Sequence, residues 1–231
     1  NQNFLYDELK SRKFDGIIIF SAWKINVRTI IDLIDMKYPY ILLSSENSVQ
    51  PTNDILFDNA GVVRELVSRL HGLGHTKIAM ITGDREQEHM KDRIKGYQLE
   101  MEDLDLKPYA YIQYGKFGFD SGYRNMQALM EVYRDVTAVV CGNDYIAAGA
   151  MRAIKEKGMK VPDDISVTGF DNSEFAHIIE PALTTVKLPV FKLSQIAIGK
   201  LCRLIQNKEF EAGREILPGE IVEGESICDV H

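Results

Sequence analysis

Residues 138–158 read AVVCGNDYIAAGAMRAIKEKG. Four apolar residues, Ala138 to Cys141, have the length and β-branched character of a buried strand. Gly142 permits a sharp turn, Asn143 and Asp144 stand side by side, and a helical period then runs to Lys157. Lys155 and Lys157 sit at the negative end of that helix, and Gly158 stops it. A strand that is apolar throughout, rather than alternating, is covered on both faces. With a helix following at once, this is one unit of a parallel α/β sheet.

The same unit recurs outward in both directions. Strands are expected at Gly16–Phe20, Tyr40–Leu43, Ile55–Phe57, Ile78–Ile81, Ala110–Ile112, Ile165–Thr168 and Thr184–Lys187. Helix-period segments separate most of them. After Asn59, residues Val62, Val63, Leu66, Val67, Leu70 and Leu73 share one helical face, and Gly74 ends it. Val190–Ile205 is another helix, with Pro189 at its first turn. Two or three strand–helix units precede Phe57 and about four follow it, too many for one small sheet and suited to two α/β lobes. No Gly/Ser linker divides them, so the connections are expected to be short.

Composition bounds the function. The 231 residues are 45% hydrophobic and 26% charged, ordinary globular material. A net charge of −7 supplies no field for holding a polyanion. No segment reaches membrane-spanning length, and no signal peptide is visible. Three scattered cysteines without metal-ligand spacing point to a reducing compartment, with Cys141 and Cys202 read as small core residues. The phosphate-binding glycine motifs and the nucleophile-elbow motif do not occur. The five histidines show no metal-ligand pairing, and His75, just after a helix-stopping glycine, is read as structural. Nothing calls for a cofactor, a metal or a catalytic residue, and the chain is expected not to be an enzyme.

In open α/β sheets ligands bind beyond the carboxyl ends of the strands. At those ends stand Asp58-Asn59, Thr82-Gly83-Asp84 with Arg93 in the helix that follows, Gly142-Asn143-Asp144, and Gly169-Phe170-Asp171-Asn172. Helix capping accounts for any one of these Asp and Asn residues taken singly. A repeated carboxylate–amide set at one topological edge is explained better by a ligand. With Arg93, and with Phe117 in the loop after Tyr111–Gln113, the set offers acceptors, donors and a flat apolar ring. That chemistry suits a small polyhydroxylated molecule, and a nucleobase is a second possibility.

Several segments together resemble the lactose/galactose-repressor (LacI/GalR) family of transcription regulators. They are FDGII (14–18), LGHTKIA (73–79), DRIKGY (92–97), GND (142–144) with Ala147 following, VPDDISVTGFD (161–171) and PALTTV (181–186). The resemblance runs from Phe14 to Val186 in family order. It implies a two-lobed, periplasmic-binding-protein-like α/β fold, each lobe a mainly parallel sheet flanked by helices. It implies a first lobe of residues 1–57 plus 188–217, incomplete at its start, and a second of 58–187 plus 218–231. Arg93, Asn143 and Asp171 fall on family effector-contact positions, and Phe117 on that of an aromatic that stacks on the ligand. Ser44 falls where sugar binders often carry Asp, which puts one hydroxyl contact in doubt. Asp144 is either a contact or a helix cap, and Asp58 completes the strand-end set.

The implied function is ligand sensing in a bacterial, cytoplasmic transcription regulator. A sugar-like effector held between two lobes would alter DNA binding by a helix-turn-helix expected upstream of this chain. The family also implies a homodimer that reaches operator DNA only through that head, and it leaves room for a co-regulator protein. Ile178 and Ile179 are candidates to face a partner, whereas Ile146 reads as core. The rival reading is a solute-binding protein of a sugar transporter, which shares fold and ligand class.

Overall fold

A computed structural model describes residues 13–20, 26–43, 53–207 and 213–230. The expected Ser44 contact lies outside these residues. The chain forms two compact units, Asn1–Phe57 with Pro189–Leu217, and Asp58–Leu188 with Pro218–His231.

Unit 1 is a parallel sheet in the order β1 (Ile17–Phe20), β2 (Tyr40–Leu43), β3 (Asn53–Phe57), β9 (Gly213–Leu217). All four residues of β2 are buried, and the pleat divides them. Tyr40 and Leu42 join Ile30 and Leu33 of α1 (Val27–Asp35) on one face. Ile41 and Leu43 join Leu193, Ala197 and Leu204 of α7 (Val190–Asn207) on the other. The buried Asp54 pairs across the ladder with its register partner Arg214, at 3.1 Å. Cys202 was expected in the core but is exposed, because the buried face of α7 is the Leu193–Ala197–Leu204 stripe.

Unit 2 repeats the plan. Its parallel sheet has the order β5 (Tyr111–Tyr114), β4 (Ile78–Thr82), β6 (Ala138–Cys141), β7 (Ser166–Thr168). Ile78, Met80, Ala138 and Val140 face α2 (Asn59–Gly72) and α3 (Glu88–Asp103). Ala79, Ile81, Val139 and Cys141 face α4 (Phe119–Val132) and α5 (Asp144–Glu156). A short α6 (Glu174–Ile178) follows β7, and β8 (Thr185–Lys187) pairs antiparallel with β10 (Glu220–Val222). The start of β5 falls one residue later than the sequence suggests. Lys107–Tyr109 close a 3-10 turn, and the Ala110 amide is tied to the Lys107 carbonyl at 3.1 Å.

Two local devices fix this unit. Helices α4 and α5 approach so closely that a Cβ on Gly122 would meet the Ile146 carbonyl, and one on Gly149 the Phe119 carbonyl. His75, 2% exposed, bridges Thr137, just before β6, and the segment around Cys228. A carbonyl only accepts, so Nε2–H donates to Cys228 O (3.0 Å) and Nδ1 accepts from the Thr137 hydroxyl (3.0 Å). Burial lowers the pKa of this imidazole.

Gly149→Ala gains about 1 kcal/mol of helix propensity but overpacks against backbone that cannot move aside, at a cost of about 3 kcal/mol. A net loss of about 2 kcal/mol is expected in urea denaturation. For His75, the unfolded state takes up a proton below about pH 6.5 while the native imidazole resists. Its contribution is therefore complete above that pH and declines as the pH falls. His75→Phe should be less stable at pH 8 yet show a shallower loss between pH 7 and 5, read by the same denaturation at each pH.

Candidate functional site

The sheet of unit 2 sends β5 to one side of β4 and β6 to the other, so its topological switch point is the space beyond the carboxyl ends of β4 and β6. Arg93 of α3 fills it. The residue is 4% exposed and packs its guanidinium 3.4 Å from the Phe170 ring centroid. Nε donates to Asn59 Oδ1 (3.0 Å), one Nη to the Gly142 carbonyl (2.6 Å) and the other to Asp171 Oδ1 (3.4 Å). Burial lowers its pKa to about 10, with the nearby carboxylate of Asp171, and more weakly Asp144 and Asp92, opposing the shift. Arg93 therefore remains a cation at neutral pH.

Three strand-end segments thus meet one guanidinium. Asp58 precedes Asn59 and caps α2, its Oδ1 accepting from the Gly61 amide at 2.8 Å. Asn143 follows Gly142 and caps α5, its Oδ1 accepting from the Ile146 amide at 2.9 Å. Asn143 is 7% exposed, whereas 46% of the Asp171 side chain meets solvent. The protein around Asp171 strips part of its hydration and raises its pKa, against the pull of Arg93, and its remaining solvent access moderates the shift.

Asp144 does not share the exposure of Asp171. It is 1% exposed, and both its oxygens are engaged, Oδ2 by the Ser173 amide (2.7 Å) and Oδ1 by the Thr185 hydroxyl (2.5 Å). The cap of α5 is Asn143, so Asp144 serves neither as the cap nor as an outward-facing acceptor.

Phe117 lies against Gly83, where a Cβ would crowd its ring. It stacks on His89 with centroids 5.8 Å apart and planes 27° apart. Burial and the Arg93 cation push the His89 pKa down to about 4, so the imidazole is neutral at physiological pH. Sequence reasoning set His89 aside for want of a metal partner. The available signal was its position one helical turn before Arg93, which puts both on one face of α3. Asn59 and Phe170 stand in the strand-end segments that the sequence marks, but neither is singled out there as a contact. Among the described residues, Thr82 Oγ1, Asn172 Oδ1 and Ser173 Oγ are buried without a hydrogen-bond partner. Also among the described residues, no three His, Cys, Asp or Glu side chains group as metal ligands, and no helix is long and apolar enough to cross a membrane.

Residues 67–227 match the family described as "Periplasmic binding protein-like domain". A probable HTH-type transcriptional repressor, ExuR of Bacillus subtilis (strain 168), is 34% identical over 224 residues, covering 96% of this chain and 67% of that protein. The chain spans about two thirds or less of the length of the curated relatives it matches first. Among solved structures, a LacI family transcriptional regulator from Enterococcus faecium with bound ribose superimposes with a TM-score of 0.85. Its identity is 27%, over 97% of this chain and 83% of that one. A dimeric Lac repressor with a C-terminal deletion gives 0.86 at 28% identity, over 98% and 82%. Fold, motif order and these relatives agree, and the chain belongs to the LacI family of transcriptional regulators, of which it carries the periplasmic-binding-protein-like, ligand-sensing region.

Proposed function

We propose that the strand-end site of unit 2 binds a small polyhydroxylated, sugar-like effector, and that its occupancy governs DNA binding by a helix-turn-helix head elsewhere in the protein. The observation that carries this reading is the Arg93 hub. One buried guanidinium holds Asn59, Gly142 and Asp171 together, while Asp171 keeps nearly half of its side chain in solvent. A carboxylate in that position accepts from a ligand hydroxyl, and the long 3.4 Å contact to Arg93 leaves room for the guanidinium to share a ligand oxygen. The unpartnered Thr82, Asn172 and Ser173 oxygens are further polar groups that a hydroxyl-rich ligand would satisfy. Phe117, 38% exposed, offers a face for sugar C–H groups. The ribose-bound relative supports this ligand class.

We read the site as one of binding without turnover, because Asp58 and Asp144 are committed to internal donors and Asp171 is paired with the Arg93 cation. An effector acts by preferring one conformation of the sensing region, since only differential affinity shifts an equilibrium. The net charge of −7 accords with DNA contact being made outside this chain.

We further propose a homodimer built on unit 2. Tyr145 of α5 (51% exposed) stacks on Phe175 of α6, with centroids 5.7 Å apart, and Ile178 beside them is 70% exposed. A cluster of large apolar side chains on the surface of two neighbouring helices suits a second copy. The dimeric Lac repressor relative supports the same state.

Asp171→Asn should weaken the sugar that a thermal-shift screen of aldoses and nucleobases identifies by about tenfold to a hundredfold, measured calorimetrically. Unchanged affinity would remove Asp171 from the site. Ile178→Glu should convert a dimer to a monomer in sedimentation velocity, with sugar affinity retained.

A further inference from the structure

Asp144 is a buried carboxylate whose purpose the helix start does not explain, since Asn143 already caps α5. Its bonds run elsewhere. Oδ2 accepts from the Ser173 amide and Oδ1 from the Thr185 hydroxyl, while its own amide donates to the Phe170 carbonyl at 2.9 Å. Three segments therefore close on one side chain: the first turn of α5, the loop 169–173 and β8.

The loop needs such a clamp. Asp171 and Asn172 both hold positive φ, at 101° and 50°, which is unfavourable for residues bearing a Cβ. Gly169 is confined as well, because a Cβ there would run into Asp144 Oδ1 and the Leu183 side chain. The loop is bonded at further points to β8 and to Thr184 just before it. The Asp171 amide donates to Val186 O (2.9 Å), the Gly169 amide to Thr184 O (2.8 Å), and the Asn172 amide to Thr185 Oγ1 (3.3 Å). The Thr185 hydroxyl is thus a relay that accepts from the loop and donates to Asp144.

Strand β8 is no ordinary neighbour. It pairs with β10 from Thr185↔Val222 to Lys187↔Glu220. The chain leaves unit 2 after Leu188, directly beyond β8, and re-enters at Pro218, directly before β10. The ribbon is therefore the covalent route by which unit 2 is tied to the rest of the chain on that side.

We propose that Asp144 is a positioning residue that clamps the ligand-facing loop 169–173 to the β8–β10 ribbon. A ligand engaging Asp171 then acts directly on the strands by which the chain exits and re-enters unit 2. The inference rests on Asp171 being a ligand contact, as proposed above, and it extends that reading from binding to transmission. A carboxylate serves where an amide would not, because both its oxygens must accept, one from a backbone N–H and one from a hydroxyl. Asp144→Asn offers one acceptor and an NH2 group that faces a donor. Thr185→Val keeps the carboxylate and deletes the relay.

The test is amide hydrogen exchange by NMR on the ligand-free protein, comparing wild type with Asp144→Asn and Thr185→Val. Protection should fall about tenfold or more at Asp171 and Ser173, and also along Thr185–Lys187 and Glu220–Val222, while Ile78–Thr82 of β4 exchanges as in wild type. The Cα shifts of Asp171 and Asn172, which report their positive φ, should move in both variants. If Asp144→Asn fails to fold, Thr185→Val alone decides. A loss confined to the loop would overturn the coupling to the ribbon. A uniform loss that includes β4, or unmoved Asp171 and Asn172 shifts, would reduce Asp144 to a general stability element and overturn the proposal. These readouts need no ligand. Their failure is therefore distinct from a failure of sugar binding, which wild-type protein reports in the thermal-shift screen.

Discussion

A guanidinium at 4% exposure keeps its charge only if the protein replaces the water it has lost, and unit 2 is arranged around that requirement at Arg93. An amide oxygen from the start of α2, a carbonyl from the turn after β6, a carboxylate from the turn after β7 and the face of Phe170 surround it. The three oxygens belong to different strand–helix connections, and Phe170 shares its turn with Asp171. The cation therefore does mechanical as well as chemical duty: it holds the rims of three turns at fixed separations. Removing any one partner leaves the others around a less satisfied charge.

The surrounding groups differ in what they can still offer. Asp58 and Asn143 each give an oxygen to a helix N-terminus, and Asp144 gives both oxygens to internal donors. Asp171 alone among the acidic residues of this set pairs with Arg93 and still meets water over a large part of its side chain. The division is physically sensible. Residues that fix backbone hold the rim, and one residue on that rim presents a charge outward, so the recognition proposed for it would cost little ordering of the protein. His89, held neutral beside Arg93, adds a ring to Phe117 without adding a second positive charge.

Much of this is legible in the sequence, for definite reasons. A strand such as YILL at 40–43, apolar at every position, requires cover on both faces, and α1 and α7 supply it. Gly74 and Gly158 mark helix ends because both hold positive φ. The polar residues that gather around Arg93 can be picked out because the carboxyl ends of parallel strands are where an α/β sheet leaves side chains free to meet. Less legible are features whose signal is shared with ordinary structure. Cys202 has the period of a core residue and is exposed, since a helix on a sheet buries only one stripe. His89 looks like any lone histidine until its distance from Arg93 along α3 is weighed.

From the sequence alone follow the α/β class, the alternation of strand and helix, and, through motifs such as VPDDISVTGFD, the family. These depend on periodicity and local conformational preference, which act over a few neighbouring residues. Tertiary structure decided which way each polar side chain faces. The strand order β5-β4-β6-β7 brings Arg93 to carbonyl and carboxylate partners 49 and 78 residues away along the chain. It likewise turns Asp144 inward to Ser173 and Thr185, 29 and 41 residues distant, while Asn143 beside it takes the cap. Adjacent residues with the same local propensities thus acquire different roles, because hydrogen-bond partners are assigned by which strands become neighbours, and that is settled by the packing of the whole sheet.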